Sequence, residues 1–268
     1  IEPDTNLPQA NSVVHQYEVS QRFIDTHFAG RSTPVALLPD TFGHPASLPK
    51  LLAATGQKYF VFCRPSPGEK ADLPADLFYW EYEGERVLAY RLRYHYMQGH
   101  LVDEEKIRQR VGDPDYANHA ANAFFFGVGN HGGGPTKEIL RRIEEWQGRE
   151  DMPELVPSSL PAFLKVAEGK RLPMWKGEMQ HHARGCYSAV SALKVGNRRG
   201  EERLIGAEMW EAAARMALGR RPDTVGMALA WKDVLFNQFH DILAGSSVEE
   251  ACRDAELQQG AAVHAAEV

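Results

Sequence analysis

The sequence has no excess of basic residues, no long apolar run, few cysteines and no internal repeat or low-complexity tract, and each absence removes a class of protein. Thirty Lys and Arg stand against 36 Asp and Glu in 268 residues, a formal net charge of −6 without long single-sign runs. A nucleic-acid binder carries the opposite footprint. No stretch approaches the roughly 18 consecutive apolar residues of a membrane span, and the acidic start Ile1-Glu2-Pro3-Asp4 has the character of neither a signal nor a transit peptide. The three cysteines, Cys63, Cys186 and Cys252, are odd in number, far apart and never spaced Cys-x-x-Cys. Neither a disulfide framework nor a thiolate metal site is expected, and a reducing compartment is the simpler reading. An initiator Met is also missing: the chain opens in what reads as the middle of a motif, so we expect a fragment or a trimmed product. Its length still suffices for one large domain or two at roughly 150 residues each, and a chain of this size buries about three-quarters of its unfolded surface.

What is present divides into two halves. Over residues 35–150, short apolar runs alternate with amphipathic stretches: Val35-Ala36-Leu37-Leu38, a helix-like segment from Pro45, then Tyr59-Phe60-Val61-Phe62, Phe78-Tyr79-Trp80 and Val87-Leu88-Ala89-Tyr90. This is the pattern of β/α units. Phe124-Phe125-Phe126-Gly127-Val128 is expected as a buried parallel strand, and Leu172–Gln180 as the last strand-like run. From about Val190 to Gly219, Thr224 to Phe239 and Val248 onward, apolar residues recur at three- and four-residue spacing, predicting three helices. Pro222-Asp223 precedes the second, and Ser246-Ser247 with Glu249-Glu250 supplies an N-cap and an acidic first turn for the third. The expected architecture is α/β: a partial (β/α) barrel-like domain over 1–184 followed by a three-helix bundle domain over 185–268.

Three segments carry candidate chemistry. In Leu38-Pro39-Asp40-Thr41-Phe42-Gly43-His44 an apolar strand runs straight into a polar turn. Asp40 there is either a nucleophile or metal ligand with a sugar or other flat face on Phe42, or only the N-cap of the helix beginning near Pro45. In Asn237-Gln238-Phe239-His240-Asp241, closing on Gly245-Ser246-Ser247, His240 is either a metal ligand or a structural residue at a helix end. Gly129 to Thr136 is a Gly-rich strand-to-helix loop whose spacing fits neither the dinucleotide fingerprint nor the P-loop; it presents Asn130 and His131 where backbone passes close to a ligand. His95, His100, His119, His181 and His182 have no ligand spacing with a mechanism behind it, and are assigned to surface or second-shell roles.

Together these segments resemble glycoside hydrolase family 38, the α-mannosidases. The matching stretches are Glu2-Pro3-Asp4 with Asn6-Leu7-Pro8, Leu38 to His44, Gly129 to Thr136, Leu172-Pro173 with Trp175 and Gly177-Glu178, Arg184-Gly185 with Tyr187, and Ala230-Trp231-Lys232-Asp233 running to Ser247. They span nearly the whole chain in order, and the Gly-Gly-Gly-Pro-Thr loop is similar to that of the cytosolic and bacterial branch. The resemblance implies hydrolysis of terminal α-mannosidic bonds with retention, around one Zn²⁺ that other divalent metals can replace. Asp40 matches the nucleophile, which also touches the metal; His240 matches a zinc ligand, Phe42 a wall of the mannose pocket, Asp241 a residue that bonds sugar hydroxyls, and Tyr187 a further substrate-binding residue. It also implies a mannose-containing oligosaccharide or mannoside as partner, no nucleic acid or membrane, a cytoplasmic, bacterial-like setting, and self-association in this branch.

Two positions depart from the family pattern. Asn130 stands where an Asp is expected, and an amide cannot give and recover a proton as a carboxyl does; His131 is the alternative shuttle in that loop. No His-any-Asp pair precedes Asp40, the only earlier histidines being His15 and His27. With two of four expected ligands, this chain alone is expected to bind zinc weakly and to be inactive or nearly so. Two other readings keep part of this picture. One is a non-catalytic carbohydrate-binding remnant, which Asn130 favours. The other is a zinc amidohydrolase-type enzyme, against which count the missing His-rich strand motif and Phe42 beside Asp40.

Overall fold

The structure is a computed structural model that describes residues 2–28, 33–93, 96, 103–112, 121–128, 133–180 and 182–268. Helix α1 (Ala10–His27) leads into β1 (Val35–Leu38), α2 (Leu48–Ala54), β2 (Tyr59–Phe62), β3 (Leu77–Tyr82) and β4 (Glu85–Arg91). After α3 (Glu104–Val111), α4 (Lys137–Trp146) and α5 (Leu160–Ala167), the short strand β5 (Met174–Trp175) completes a five-stranded sheet of order β1-β2-β4-β3-β5. β1, β2 and β4 are parallel, whereas β3 pairs antiparallel to β4 and parallel to β5. The reason for the reversal is local. Glu83 and Gly84 both adopt positive φ, 51° and 87°, giving the two-residue turn whose twist suits a hairpin.

β2 is buried along its whole length, as a strand covered on both faces must be. Alternation then sorts its side chains. Phe60 and Phe62 join Leu48, Leu52, Phe78, Trp80 and Met179 on the α2 face, while Tyr59 and Val61 join Leu88, Tyr90 and Leu164 on the α5 face. Two expected strands differ. Residues 121–127 form no strand: Phe124 packs against Ile107, Ile139, Ile143 and Met152, and Phe125 against the α5-side core. Phe124 and Phe125 are thus partly covered by other elements, Phe126 stays exposed, and among the described residues the segment has no sheet partner. Of Leu172–Gln180 only Met174–Trp175 pairs in the sheet, and Met179 instead bridges His44.

The second half follows the helical expectation. A 3₁₀ turn (Arg184–Ser188) precedes α6 (Ser191–Leu218), α7 (Thr224–Phe236), a single turn α8 (His240–Leu243) and α9 (Glu249–Glu267). α6, α7 and α9 pack on one another, and α1 lies against α7, with His15 4.1 Å from the Trp231 ring. Asp223 caps α7 by accepting from Gly226 N at 2.9 Å. Ser246 and Ser247 do not cap α9, whose N-cap is Val248; their hydroxyls donate to the Asp241 carbonyl and close α8 instead. All three cysteines are free, and among the described residues no helix is long and apolar enough to cross a membrane.

The N-terminal segment stitches the halves together. Thr41 Oγ1 donates to the Pro3 carbonyl at 3.0 Å, and Thr5 Oγ1 and Asn6 Nδ2 both donate to the Gly43 carbonyl. On the other side Asp4 N donates to the Gln238 carbonyl at 2.8 Å. Farther along, Gln9 N and Ser12 Oγ donate to buried Glu201 of α6 at 2.7 and 2.6 Å.

Candidate active site

Register explains which side chains meet. Leu38 of β1 pairs with Phe62 of β2, and Phe62 with Arg91 of β4. These neighbouring parallel strands therefore release their chains at one edge, the carboxyl end, where α/β folds place their chemistry. Asp40 and Arg64 each follow their strand by two residues, and the Arg64 Nε donates to Asp40 Oδ1. Tyr96, just beyond β4, donates its hydroxyl to Asp40 Oδ2 at 2.9 Å. Burial would raise the Asp40 pKa, but these two hydrogen bonds and the Arg64 charge outweigh it and hold the carboxyl below its ordinary value. Asp40 does not cap α2, whose N-cap is Ser47.

The helical half brings His240 to the same place. The Glu2 carbonyl lies 3.2 Å from the His240 backbone N and 2.9 Å from its Nδ1. With Nδ1–H donating there, the Nε2 lone pair is left to face outward, 4.0 Å from Asp40 Oδ2 and 4.0 Å from Asp241 Oδ2. The Glu2 side chain is half-buried nearby; burial raises its pKa, His240 offsets this and Asp40 adds to it. Phe42 sits edge-on to His240 with ring centroids 6.0 Å apart and edge-on to His182 at 5.2 Å. Asp241 is exposed enough to meet a ligand, and its Oδ1 accepts from Ser246 Oγ at 3.1 Å.

Asp40, Phe42, His240 and Asp241 thus converge. Tyr187 is placed differently: its hydroxyl accepts from Asn6 Nδ2 at 2.9 Å, the amide that also holds Gly43. It braces the loop from behind, and burial followed by Asp4 raises its pKa. Asn130 and His131, with His95, His100, His119 and His181, lie outside the described residues.

His240 Nε2 and the Asp40 carboxylate are spaced as two donors of one metal site would be. Two ligands about 2.1 Å from a tetrahedral zinc lie about 3.4 Å apart, so the 4.0 Å between His240 Nε2 and Asp40 Oδ2 is close to bridging. The imidazole oriented by a carbonyl and the ionised carboxylate suit zinc in kind. Among the described residues no group of three His, Cys, Asp or Glu could hold a metal, so the donors fit as part of a coordination shell.

Arg64 and Tyr96 are not among the residues that the sequence pattern singles out. Arg64 carries a readable signal, a charged side chain two residues after the apolar run Tyr59–Phe62, the same offset at which Asp40 follows Leu38. Tyr96 had none, since its distance from β4 sets no direction for the ring.

Comparison with known proteins follows the same residues. Residues 1–178 match the glycosyl hydrolases family 38 N-terminal domain, and residues 180–268 the alpha mannosidase middle domain. The chain is 32% identical over 269 residues to human alpha-mannosidase 2C1, covering 95% of this chain and 25% of that protein. It is 30% identical over 270 residues to an alpha-mannosidase of Saccharomyces cerevisiae, covering 93% and 24%. The chain therefore spans about a quarter of the length of these relatives. An alpha-mannosidase crystal structure from Enterococcus faecalis superposes with a TM-score of 0.83 at 21% identity, over 100% of this chain and 32% of that one. The fold of that structure is shared throughout this chain. The family 38 match over residues 1–178, which includes the Asp40 loop, followed by the middle-domain match over 180–268, which includes His240, makes this chain a member of glycosyl hydrolases family 38.

Proposed function

We propose that this chain is part of an α-mannosidase that hydrolyses terminal α-mannosidic bonds with retention of configuration, with Asp40 as nucleophile. The carrying observation is the convergence of an Asp40 carboxylate held ionised by Arg64 and Tyr96 with the outward Nε2 of His240. An ionised carboxylate fixed at both oxygens is pre-aimed at an anomeric carbon. Attack there yields a covalent glycosyl-enzyme that water later opens. Phe42 supplies an apolar wall for the sugar and Asp241 accepts from its hydroxyls. Asp40 and His240 would hold a zinc ion together with donors from elsewhere, and that ion would supply Lewis-acid binding of sugar hydroxyls. The departing oxygen needs a proton from a second acid, and the Asn130–His131 loop where the resemblance puts it lies outside the described residues.

In the same reading, residues 1–184 belong to a barrel-like catalytic domain and 185–268 to a three-helix domain that delivers His240. The substrate is a mannose-containing oligosaccharide or mannoside, the setting is cytoplasmic, and the enzyme self-associates. The full-length gene product with Asp40→Asn should lose turnover of an aryl α-mannoside by a factor of 10³ or more, as expected for removal of a nucleophile. Unchanged turnover would overturn the assignment. Calorimetry with zinc on the 268-residue chain should give weak binding that His240→Ala removes; tight binding would sink the idea that donors are supplied from outside it. Asn130 favours a second reading, a carbohydrate-binding remnant. In that case the parent protein binds mannose and turns over no α-mannoside.

A further inference from the structure

Beside Phe42 the structure holds a pair that the mechanism above does not use, His182 and Glu69. Glu69 Oε2 accepts from Ser66 N at 2.7 Å, fixing the carboxylate in the turn after β2. Its Oε1 pairs with His182 Nδ1. Burial would raise the Glu69 pKa, but His182 and Ser66 outweigh it, so the carboxylate stays ionised and accepts a hydrogen bond from Nδ1–H. This leaves Nε2, on the far side of the ring, as a hydrogen-bonding atom of settled tautomer. The placement is built into the backbone. His44 N donates to Met179 O at 2.9 Å and Met179 N to His44 O at 2.8 Å, laying residues 178–180 along the strand-end loop. Gly43 permits it: a Cβ there would lie 2.9 Å from Gln180 Cα and 3.0 Å from Met179 O. His182 lies edge-on to Phe42 with ring centroids 5.2 Å apart, as His240 does at 6.0 Å. Both members stay partly open to solvent, 25% for His182 and 30% for Glu69.

We propose that His182, oriented by Glu69 and set against Phe42, contacts the sugar directly, its Nε2 accepting a hydrogen bond from one hydroxyl of the mannose ring, with Glu69 as the positioning residue. The inference rests on the mannoside-binding reading of the Phe42 wall. A salt-bridging role alone would not require a shielded aromatic neighbour or a carboxylate pinned by a backbone amide.

The test uses the full-length gene product and reads mannose binding by calorimetry alongside kinetics on 4-nitrophenyl and 2,4-dinitrophenyl α-mannosides. His182→Ala should weaken mannose binding and raise KM about three- to tenfold, the worth of one hydrogen bond to a neutral group, by the same factor for both leaving groups and with kcat little changed. Glu69→Gln, whose single carboxamide oxygen can accept from Ser66 N or from Nδ1 but not from both, should lose less than Glu69→Ala, which offers no acceptor to either. Aryl mannosides lacking one hydroxyl identify the contact, because for one of them His182→Ala should cause no further loss. If every deoxy substrate loses the same factor, or if the loss grows with the leaving-group pKa, the proposal fails. If instead wild type binds mannose but turns over no α-mannoside, the mannosidase reading fails while the binding arm still decides the role of His182.

Discussion

The sheet core and the helical seam solve the burial problem in opposite ways. Around β2 and β4 the interior is aromatic: Phe60, Phe62, Phe78 and Trp80 are essentially inaccessible, and His44 is the one imidazole among them, edge-on to Phe60, Phe62 and Trp80. Between α1, α6 and the end of α7 the buried groups are Ser12, Asn197, Glu201 and Gln238, joined by hydrogen bonds. Apolar contact is non-directional and tolerates shifts, whereas a buried hydrogen-bond network fixes one arrangement. The seam is where direction matters, since Gln238 and His240 are neighbours and the N-terminal segment that anchors both also holds the Asp40 loop.

The sharpest way to break this contrast is to truncate one group in each region. Trp80→Ala removes a large side chain whose Nε1 also donates to the Gly177 carbonyl at 2.9 Å, and should cost about 3–5 kcal/mol. Glu201→Ala strands the Gln9, Ser12 and Gln238 donors and should cost about 3 kcal/mol. Urea unfolding measures both. The regions differ in what else is lost: Glu201→Ala should weaken the proposed zinc and sugar binding through the seam, and Glu201→Gln should restore most of it. An equal effect of Trp80→Ala on binding, after correction for the unfolded fraction, would erase the distinction.

Much of the sheet half was legible because short apolar runs bounded by polar turns have few alternatives: β1, β2, β3 and β4 and the three long helices fall where the periodicity puts them. The aromatic run at 124–128 misled because a fully apolar run says that a segment is buried without saying against what. Of the candidate site, Asp40, Phe42, His240 and Asp241 were legible as single residues that resemble family positions, and the structure brings these four together. Arg64, Tyr96, Glu69 and the orientation of His182 depend on strand register and on Gly43, and those are set by long-range pairing that no local pattern records.

Acid should act on the two regions with opposite sign. Burial, only partly offset by the Arg64 backbone, holds His44 neutral down to about 3. The unfolded chain binds that proton near 6.5, so below pH 6.5 the unfolded state carries more protons and stability falls, by up to about 1.4 kcal/mol per pH unit, until pH about 3. Burial raises the Glu201 pKa despite Ser12, Gln9 and Arg198. There the folded state keeps its proton longer, so the contribution is full below the unfolded value near 4.5 and declines as pH rises through the folded one. Unfolding from pH 4 to 8 should show a flatter acid limb in His44→Gln and a flatter decline above pH 4.5 in Glu201→Gln. Parallel wild-type and variant curves would remove either group as the source.

The smallest effect separates the two ends of α7. At its start Asp223 is exposed; its side chain accepts from Gly226 N and its own N–H donates to Glu211 at 2.9 Å. At its end the chain enters the seam through Asn237, Gln238 and His240. Asp223→Ala should therefore cost about 1 kcal/mol, the ordinary worth of an N-cap, and leave the proposed mannose binding unchanged, because the cap is exposed at the end of α7 opposite the seam. Were binding to weaken as well, α7 would be acting as a rigid rod that transmits movement at its exposed end to His240, and the seam could no longer be treated as the sole point where the helical half sets the geometry of the active edge.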